Sequence, residues 1–325
     1  MITKGFRIQT GSGLLGALVL SVALICSGWS RAAESYLAVD SFTGKILLEL
    51  DSGRRMPAAG ITKVATAMVV LDWARLSKTS MAEMAVVPTS VTTRGGANPM
   101  GLIPGDRISL REAMYSMLLG GDDAAAHTLA IHAGLSIQGR SGGASAEAAF
   151  LSEMNNLARV LGMTQTRFFT PEGTANGGSR NRSTARDLAA LTIYAMRDAG
   201  FRFYVKQKQR TVKYMRGSVS RAFKVNNLHQ LVGQGLVNGV VNGGMIGSGG
   251  CVATSSERKA EVTKLAGGAS QIRPRRLIVI ALGNPNPWGI TKTLIDQGWP
   301  AYDAWRKQGS PVKENRELIR VPKPK

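Results

Sequence analysis

The alternation of apolar and polar positions predicts strands near both ends of the chain and helices between them. Residues 36–40 and 45–50 are β-prone runs, and the turn-like residues 42–44 join them, which predicts a β-hairpin. From residue 61 to 73 the apolar positions recur with helical spacing and favour a mostly buried helix. The chain therefore begins with a hairpin that leads into a core helix.

The middle of the chain carries repeated signals for helix starts. Ser109 and Glu112 form a capping box that opens a helix reaching about residue 119, where Gly120 and Gly121 break it. Asp122 or Asp123 can cap the next helix, which the pattern ends near residue 134.

Two further helices are expected after a mobile stretch. Residues 138–145 are rich in Gly and Ser and are predicted to be a mobile loop, and residues 146–161 return to helical spacing. Residues 171–181 are irregular and glycine-rich. Thr184 can cap another helix, with Asp187 near its positive end.

The last third changes character. Short β-prone runs separated by glycines lie at 236–241, 251–254 and 276–282. We expect a long hairpin loop at 259–275, a closing helix at 290–306, and a basic disordered tail at 308–325. Strands at both ends with helices between them predict one α/β (α+β) domain, in which a sheet from both chain ends receives a helical insertion.

The first 32 residues have the organisation of a signal peptide. Lys4 and Arg7 precede an apolar run at 14–26 that is too short to span a bilayer comfortably, and small residues precede Ala33. We expect cleavage before Ala33, a domain at 33–307, and a periplasmic or extracellular location. Only Cys251 then remains, so no internal disulfide can form.

The net charge and the composition indicate which classes of partner the protein can bind. The formal charge of +20 becomes +17 once Lys4, Arg7 and Arg31 are removed. Such a surface attracts polyanions, and for an exported chain anionic wall polymers or lipid headgroups are expected rather than nucleic acid. The three histidines, at 127, 132 and 229, form no dense pattern for a metal, so we expect neither a metal nor a cofactor.

Several ordered segments resemble the serine D-alanyl-D-alanine carboxypeptidases, the low-molecular-weight penicillin-binding proteins of the peptidase S11 type. The matching segments are 39–47, 56–63, 118–125, 169–173, 183–189 and 237–243, all within residues 36–305. The resemblance implies a D,D-peptidase-like antiparallel sheet flanked by helices. It also implies three motifs whose side chains meet in one cleft.

The first motif lacks its nucleophile. The family uses S-x-x-K, in which serine and lysine share one helix face and the lysine takes the hydroxyl proton. Lys63 is present, but the serine position is Gly60, which has no side chain to acylate. Thr62 does not replace it easily, because two residues along a helix points about 200° away.

The other two motifs are altered as well. The S-x-N motif has become Gly120-Gly121-Asp122, and an Asp122–Lys63 ion pair would favour charged lysine where a general base must be neutral. The K-T-G motif has become Val241-Asn242-Gly243, which loses the cation that binds the substrate carboxylate. Gly243 still permits close approach of a ligand backbone, and Asn242 retains hydrogen-bonding capacity.

Three hypotheses follow from these motifs. The leading one is a catalytically inactive relative that binds or regulates at the cell wall, on peptidoglycan stem peptides. The second is an active carboxypeptidase with a displaced nucleophile, for which Thr62, Ser116 and Thr92 are the nearest candidates. The third is a basic wall protein that binds polyanions, with membrane contact only through an uncleaved signal segment.

Overall fold

The computed structural model describes residues 34–141, 144–175, 179–246, 249–265 and 267–322. The predicted signal peptide lies outside these ranges and stays a prediction. Within them, no helix combines the length and hydrophobicity needed to cross a bilayer.

Strands and helices follow the predicted order. The strands are β1 Ser35–Asp40, β2 Ile46–Leu50, β3 Met56–Pro57, β4 Met84–Val86, β5 Arg107–Ser109, β6 Arg182–Ser183, β7 Gln209–Arg216, β8 Val219–Asn226, β9 Val237–Ile246, β10 Gly249–Lys264 and β11 Ser270–Asn284. The α-helices are α1 Thr62–Ser77, α2 Val91–Arg94, α3 Leu110–Gly120, α4 Asp123–Ser141, α5 Ala146–Val160, α6 Ala185–Arg197, α7 Ala199–Val205 and α8 Pro287–Lys307, and 3₁₀ turns lie at Ala59–Ile61 and Asn315–Glu317.

The main sheet is built from both chain ends, as the sequence predicts. Its order is β2-β1-β11-β10-β9, and every neighbouring pair is antiparallel. Alternate residues of its central strands enter different cores. Leu37 and Ile280 join the large core with α1, whereas Ala38 and Val279 pack against α8. The mixed α/β architecture with helices on both faces is thereby confirmed.

A second, four-stranded sheet has the order β4-β5-β7-β8. One face contributes Ile108, Val212 and Tyr214 to the large core. The sequence pattern did not identify this sheet, because β4 and β5 are only three residues long and the eight-residue strands β7 and β8 are mostly exposed.

Two boundaries differ from the sequence prediction. Helix α4 continues past Gly134 to Ser141, into the segment predicted to be a loop. A Cβ atom on Gly134 would lie 2.1 Å from the carbonyl oxygen of Ala146, so this glycine permits close contact with α5 rather than ending the helix. Most of the predicted loop at 259–275 is also strand, because β10 and β11 pair out to Lys264 and Ser270.

The described part of the C-terminal tail, residues 308–322, packs against the domain, which differs from the predicted disorder. Ile319 is buried, and its N–H donates to the carbonyl of Gly44 at 2.8 Å. Arg197 donates to the carbonyls of Val321 and Pro322. The composition of the tail concealed these apolar residues among its charges and prolines. Gly44 has φ +80°, and a side chain there would collide with Ile319.

Candidate active-site cleft

Gly60 lies in the 3₁₀ turn that leads into α1, between two backbone segments. A Cβ atom placed on Gly60 would lie 3.1 Å from the carbonyl oxygen of Gly243 in β9. On the other side, Ala59 lies against Gly173, where an added Cβ would be 2.0 Å from the Ala59 oxygen. Ala59 itself has φ +49°, a left-handed conformation that a residue with a side chain adopts at some cost. The turn is therefore tightly enclosed between β9 and the segment after Pro171.

Lys63 is buried and has two acceptor partners. Its Nζ lies 2.5 Å from Asp123 Oδ1 and donates to the carbonyl of Glu172 at 2.9 Å. The partner carboxylate is thus Asp123 and not Asp122, which corrects the pairing inferred from the second motif. Asp123 also accepts from the N–H of Ala97 at 2.8 Å, so both charges have hydrogen-bond partners besides each other.

Asp122 has turned away from the cleft. It is fully buried, accepts the hydroxyl of Ser116 at 2.7 Å and accepts the N–H of Ala125 at 2.9 Å, as a helix cap does. Burial raises the pKa of Asp122 to about 6, although both hydrogen bonds and the more distant Lys63 oppose the shift. Gly121, with φ +65°, makes the turn that directs the next residue inward.

The Lys63–Asp123 pair belongs to a larger network of charges beneath the cleft. Arg94 Nε donates to Glu172 Oε1 at 3.0 Å, and its guanidinium also pairs with Glu147. Glu172 is buried, and the same Oε1 accepts the hydroxyl of Thr174 at 2.8 Å. The sequence motifs did not point to Arg94, Glu147 or Glu172 as part of this site.

The third motif forms one wall of the cleft through the edge strand β9. Asn242 and Gly243 face the cleft, and Asn242 Oδ1 accepts the N–H of Gly244 at 2.9 Å. Val241 is buried in the large core and does not line the cleft. A side chain on Gly243 would meet Cys251 and Ile61 at 3.0 Å or less, so β9 has no room there for a Cβ.

These walls enclose a cleft of about 550 Å³. Five of the positions named from the motifs, Gly60, Lys63, Gly120, Asn242 and Gly243, line it, whereas Asp122 and Val241 do not. Much of the lining is glycine backbone, and six glycines contribute to it: residues 60, 120, 121, 173, 243 and 244. The structure thus brings the three altered motifs together around Gly60.

None of the displaced nucleophiles considered above reaches the cleft. Thr62 is buried and its Oγ1 accepts from Asn181 at 3.0 Å, while Ser116 is buried and donates to Asp122. Thr92 is exposed, donates to the carbonyl of Thr89 and does not line the cleft. Among the described lining residues the one hydroxyl is that of Thr174, which donates to Glu172.

The histidines lie apart from one another. His127 bonds to Ser90 and His229 to Thr254, and burial lowers the pKa of each histidine to about 4. Within the described ranges no three side chains among His, Cys, Asp and Glu are placed to hold a metal ion.

Comparison with known proteins gives one consistent family. A family model described as D-alanyl-D-alanine carboxypeptidase matches residues 25–265. A Streptomyces D-alanyl-D-alanine carboxypeptidase is 29% identical over 213 residues, which are 66% of this chain and 69% of that protein. A carboxypeptidase of the same description from Mycobacterium tuberculosis is 28% identical over 274 residues, 82% of each chain. A D-alanyl-D-alanine endopeptidase of Pseudomonas aeruginosa is 31% identical over 196 residues, 60% of this chain and 58% of the relative.

Solved structures share the fold. A Streptomyces DD-transpeptidase matches with a TM-score of 0.68 at 24% identity, and the match covers 83% of this chain and 97% of the other. A penicillin-binding protein of Listeria monocytogenes in its ampicillin-bound form matches with a TM-score of 0.63 at 23% identity, covering 82% and 96% of the two chains.

Proposed function

Because this chain belongs to the D-alanyl-D-alanine carboxypeptidase family, we propose that it is an exported, catalytically inactive member that binds peptidoglycan stem peptides in its cleft. The observation that carries the proposal is Gly60, which lines the cleft at the position that the family's first motif assigns to the nucleophilic serine. Export is supported by the predicted signal peptide at residues 1–32.

Three features support inactivity. Removing a catalytic nucleophile lowers turnover by about 10⁶-fold in a well-studied serine peptidase, and Gly60 supplies none. The remaining Lys63 Nζ lies 2.5 Å from Asp123 and donates to the carbonyl of Glu172, so it already has two partners and neither is a nucleophile. The cleft hydroxyl of Thr174 is committed to the carboxylate of Glu172.

The capacity to bind a peptide is supported by β9. This strand ends the five-stranded sheet, and its described pairing is with β10 alone, so its other edge offers backbone donors and acceptors to a ligand. Gly243 and Gly244 leave that edge without bulky side chains, and a cleft of about 550 Å³ accommodates several residues of an extended peptide.

The proposal is tested with diacetyl-L-lysyl-D-alanyl-D-alanine. Isothermal titration calorimetry should give saturable binding, while an enzymatic assay for free D-alanine should give no release above buffer. Ala97→Trp, at an exposed position on the cleft wall, should abolish binding, whereas Leu76→Trp, at a position 81% exposed and outside the cleft, should not.

Two results would reject this function. Release of D-alanine that is lost in Thr174→Val would establish a displaced nucleophile, the second function considered from the sequence. If the wild-type protein does not bind this peptide, the proposed ligand of the cleft is rejected.

A second candidate function, polyanion binding, is favoured by the four-stranded sheet. Its strands carry six cations and no acid. Arg107, Lys213 and Lys224 are exposed and share the outward face, because Arg107 is opposite Met215 and Lys213 is opposite Ala222. Each of these cations lies on the strand next to the previous one and is offset along it by two residues. The three therefore form a diagonal row in which neighbouring residues are about 7–8 Å apart.

Retention on immobilised inorganic polyphosphate tests this second function. Wild-type protein should elute progressively earlier as salt rises, and Lys213→Gln combined with Lys224→Gln should elute earlier than wild type. Retention that is insensitive to both changes would exclude the sheet as a polyanion site.

A further inference from the structure

Three exposed arginines without an ion-pair partner lie at the cleft or beside it. Arg180 lines the cleft, and Arg182 follows it in β6, opposite Pro57. Arg167 is opposite Arg182 and exchanges both backbone hydrogen bonds with it, at 2.9 and 3.1 Å. All three arginines are exposed. We call this set the arginine rim.

The arginine rim shares one face because the residue between two of its members points inward. Asn181 is 1% exposed, and its amide makes four hydrogen bonds, to Thr62, Phe169 and both backbone groups of Thr170. With Asn181 held inside, the two flanking arginines face outward. The Cα atoms of residues two apart in an extended segment are separated by about 7 Å. The Cα atoms of a hydrogen-bonded cross-strand pair are separated by about 5.5 Å.

No Asp or Glu side chain in the described part of the chain forms an ion pair with the arginine rim. All 21 acids of the chain belong to the described residues, and none lies within 4.0 Å of Arg167, Arg180 or Arg182. Like charges placed directly opposite each other on a sheet are destabilising. The contact that the rim does make is between Arg167 and the ring of Phe169, at 5.9 Å. An anion bound across the rim would relieve this repulsion.

Arg180 of the arginine rim lines the same cleft as Asn242, Gly243 and Gly244 of β9. The 3₁₀ turn holding Gly60 contacts Gly243 of β9 on one side and Gly173, on the segment leading to Arg180, on the other. A peptide that began along β9 and crossed the turn would reach Arg180 first, with Arg182 and Arg167 beyond it. Guanidinium groups bind carboxylates through two parallel hydrogen bonds.

We propose that the cleft ligand is an acidic peptide whose carboxylates, outside the D-alanyl-D-alanine end, are bound by Arg167, Arg180 and Arg182. This rests on the proposed function, since it takes the cleft to hold a peptide. In the third motif, Val241 has replaced the lysine with which the family recognises negative charge. The proposal assigns that recognition to the arginine rim.

The test compares two peptides on one protein. The probes are diacetyl-L-lysyl-D-alanyl-D-alanine and the same peptide extended at its amino end by two glutamates. Because an exposed ion pair contributes up to about fivefold in affinity, the glutamates should tighten binding about 5- to 10-fold at low salt. The gain should shrink as salt rises from about 20 to about 300 mM.

Variants separate the arginine rim from general charge. Arg167→Gln combined with Arg182→Gln should remove the gain from the glutamates and leave binding of the shorter peptide unchanged. Lys292→Gln combined with Lys307→Gln removes the same charge from exposed positions on α8, against the opposite sheet face, and should keep the gain. Equal melting temperatures would verify that both variants are folded.

The outcomes are distinct. If the shorter peptide binds but glutamates add nothing, or if their gain survives in the arginine variant, this inference is overturned and the proposed function stands. If neither peptide binds, both are rejected. If inorganic polyphosphate binds in an arginine-dependent way while the glutamates add nothing, the rim serves phosphate polymers and not acidic peptides.

Discussion

Two parts of the same cleft have different chemical content. The floor is a network of paired charges in which Lys63, Asp123 and Glu172 are buried and each has a polar partner. The reacting surface above it is backbone, where Gly60 and Gly243 approach so closely that an added Cβ would be 3.1 Å from a carbonyl oxygen. Of the side chains that the family's chemistry requires, the second part has none and the first has Lys63.

This difference shows that a retained lysine is not evidence of retained catalysis. Removing one partner of a buried ion pair leaves an uncompensated charge, which is costly whether or not the protein is an enzyme. Lys63 and Asp123 therefore have a structural reason to be present that is independent of turnover. Glycine at position 60 has no comparable constraint from charge.

The largest effect is expected on the floor. Lys63→Met leaves the Asp123 carboxylate buried without its cation and should lower the free energy of unfolding by about 3–5 kcal/mol, measured by urea denaturation.

The matched control removes both charges. Lys63→Met combined with Asp123→Asn keeps an acceptor for the N–H of Ala97 and should recover most of the loss. If the single substitution costs less than about 1 kcal/mol, the floor is not the stabilising network described.

A smaller effect of opposite sign is expected at Asp122. Because its folded pKa is raised to about 6 from 3.8, the stability linked to its protonated form is present below about pH 4 and lost as pH rises through about 6. Asp122→Asn, which can still cap α4, should raise the free energy of unfolding at pH 7.5 by about 2–3 kcal/mol and change it little at pH 4.

The free energy of unfolding must be measured for Asp122→Asn and for wild type at each pH, and the difference between the two is then compared across pH. Burial lowers the pKa of His127 and His229 to about 4, so both histidines favour folding less as pH falls below 6.5. That opposing trend is common to both proteins and cancels in the difference. A constant difference across pH 4 to 7.5 would show that Asp122 does not titrate as described.

At the backbone surface the expected change in stability is small. Gly60 lies outside the left-handed φ region, and a methyl group there must displace the Gly243 carbonyl by only a few tenths of an ångström. Gly60→Ala should alter the free energy of unfolding by no more than about 1 kcal/mol. A loss comparable to that of Lys63→Met would remove the contrast between floor and surface.

The smallest expected effect is on activity. Gly60→Ser restores a hydroxyl but leaves Lys63 paired with Asp123, and Val241 still stands where the family has a cation. D-alanine release should remain at the wild-type background in a coupled assay. Turnover comparable to that of an active family member would show that the other two motifs are sufficient for catalysis.

Much of the scaffold could be predicted from local signals in the sequence. Ser109 and Thr184 cap α3 and α6 as expected, since capping depends on residues three apart. The four-stranded sheet and the docked tail could not be predicted, because both depend on contacts between segments distant in the chain, such as Gly44 with Ile319.

The sequence predicted the motif segments that form the site, but not the partners that their side chains contact. Two adjacent acids, Asp122 and Asp123, stand at the start of α4, and only the backbone turn at Gly121 decides which one caps the helix and which one reaches Lys63. The arginines at 167, 180 and 182 belong to none of the matched segments. A β-bridge places Arg167 opposite Arg182, and Arg180 lies two residues before Arg182.

The central claim is that the cleft has no nucleophile that an acyl donor can reach. Intact-mass spectrometry after incubation of the mature wild-type protein with a fluorescent penicillin tests it most directly. The protein mass should be unchanged and no fluorescent band should survive denaturing electrophoresis. A stable adduct of one penicilloyl group, mapped to any residue lining the cleft, would contradict the account.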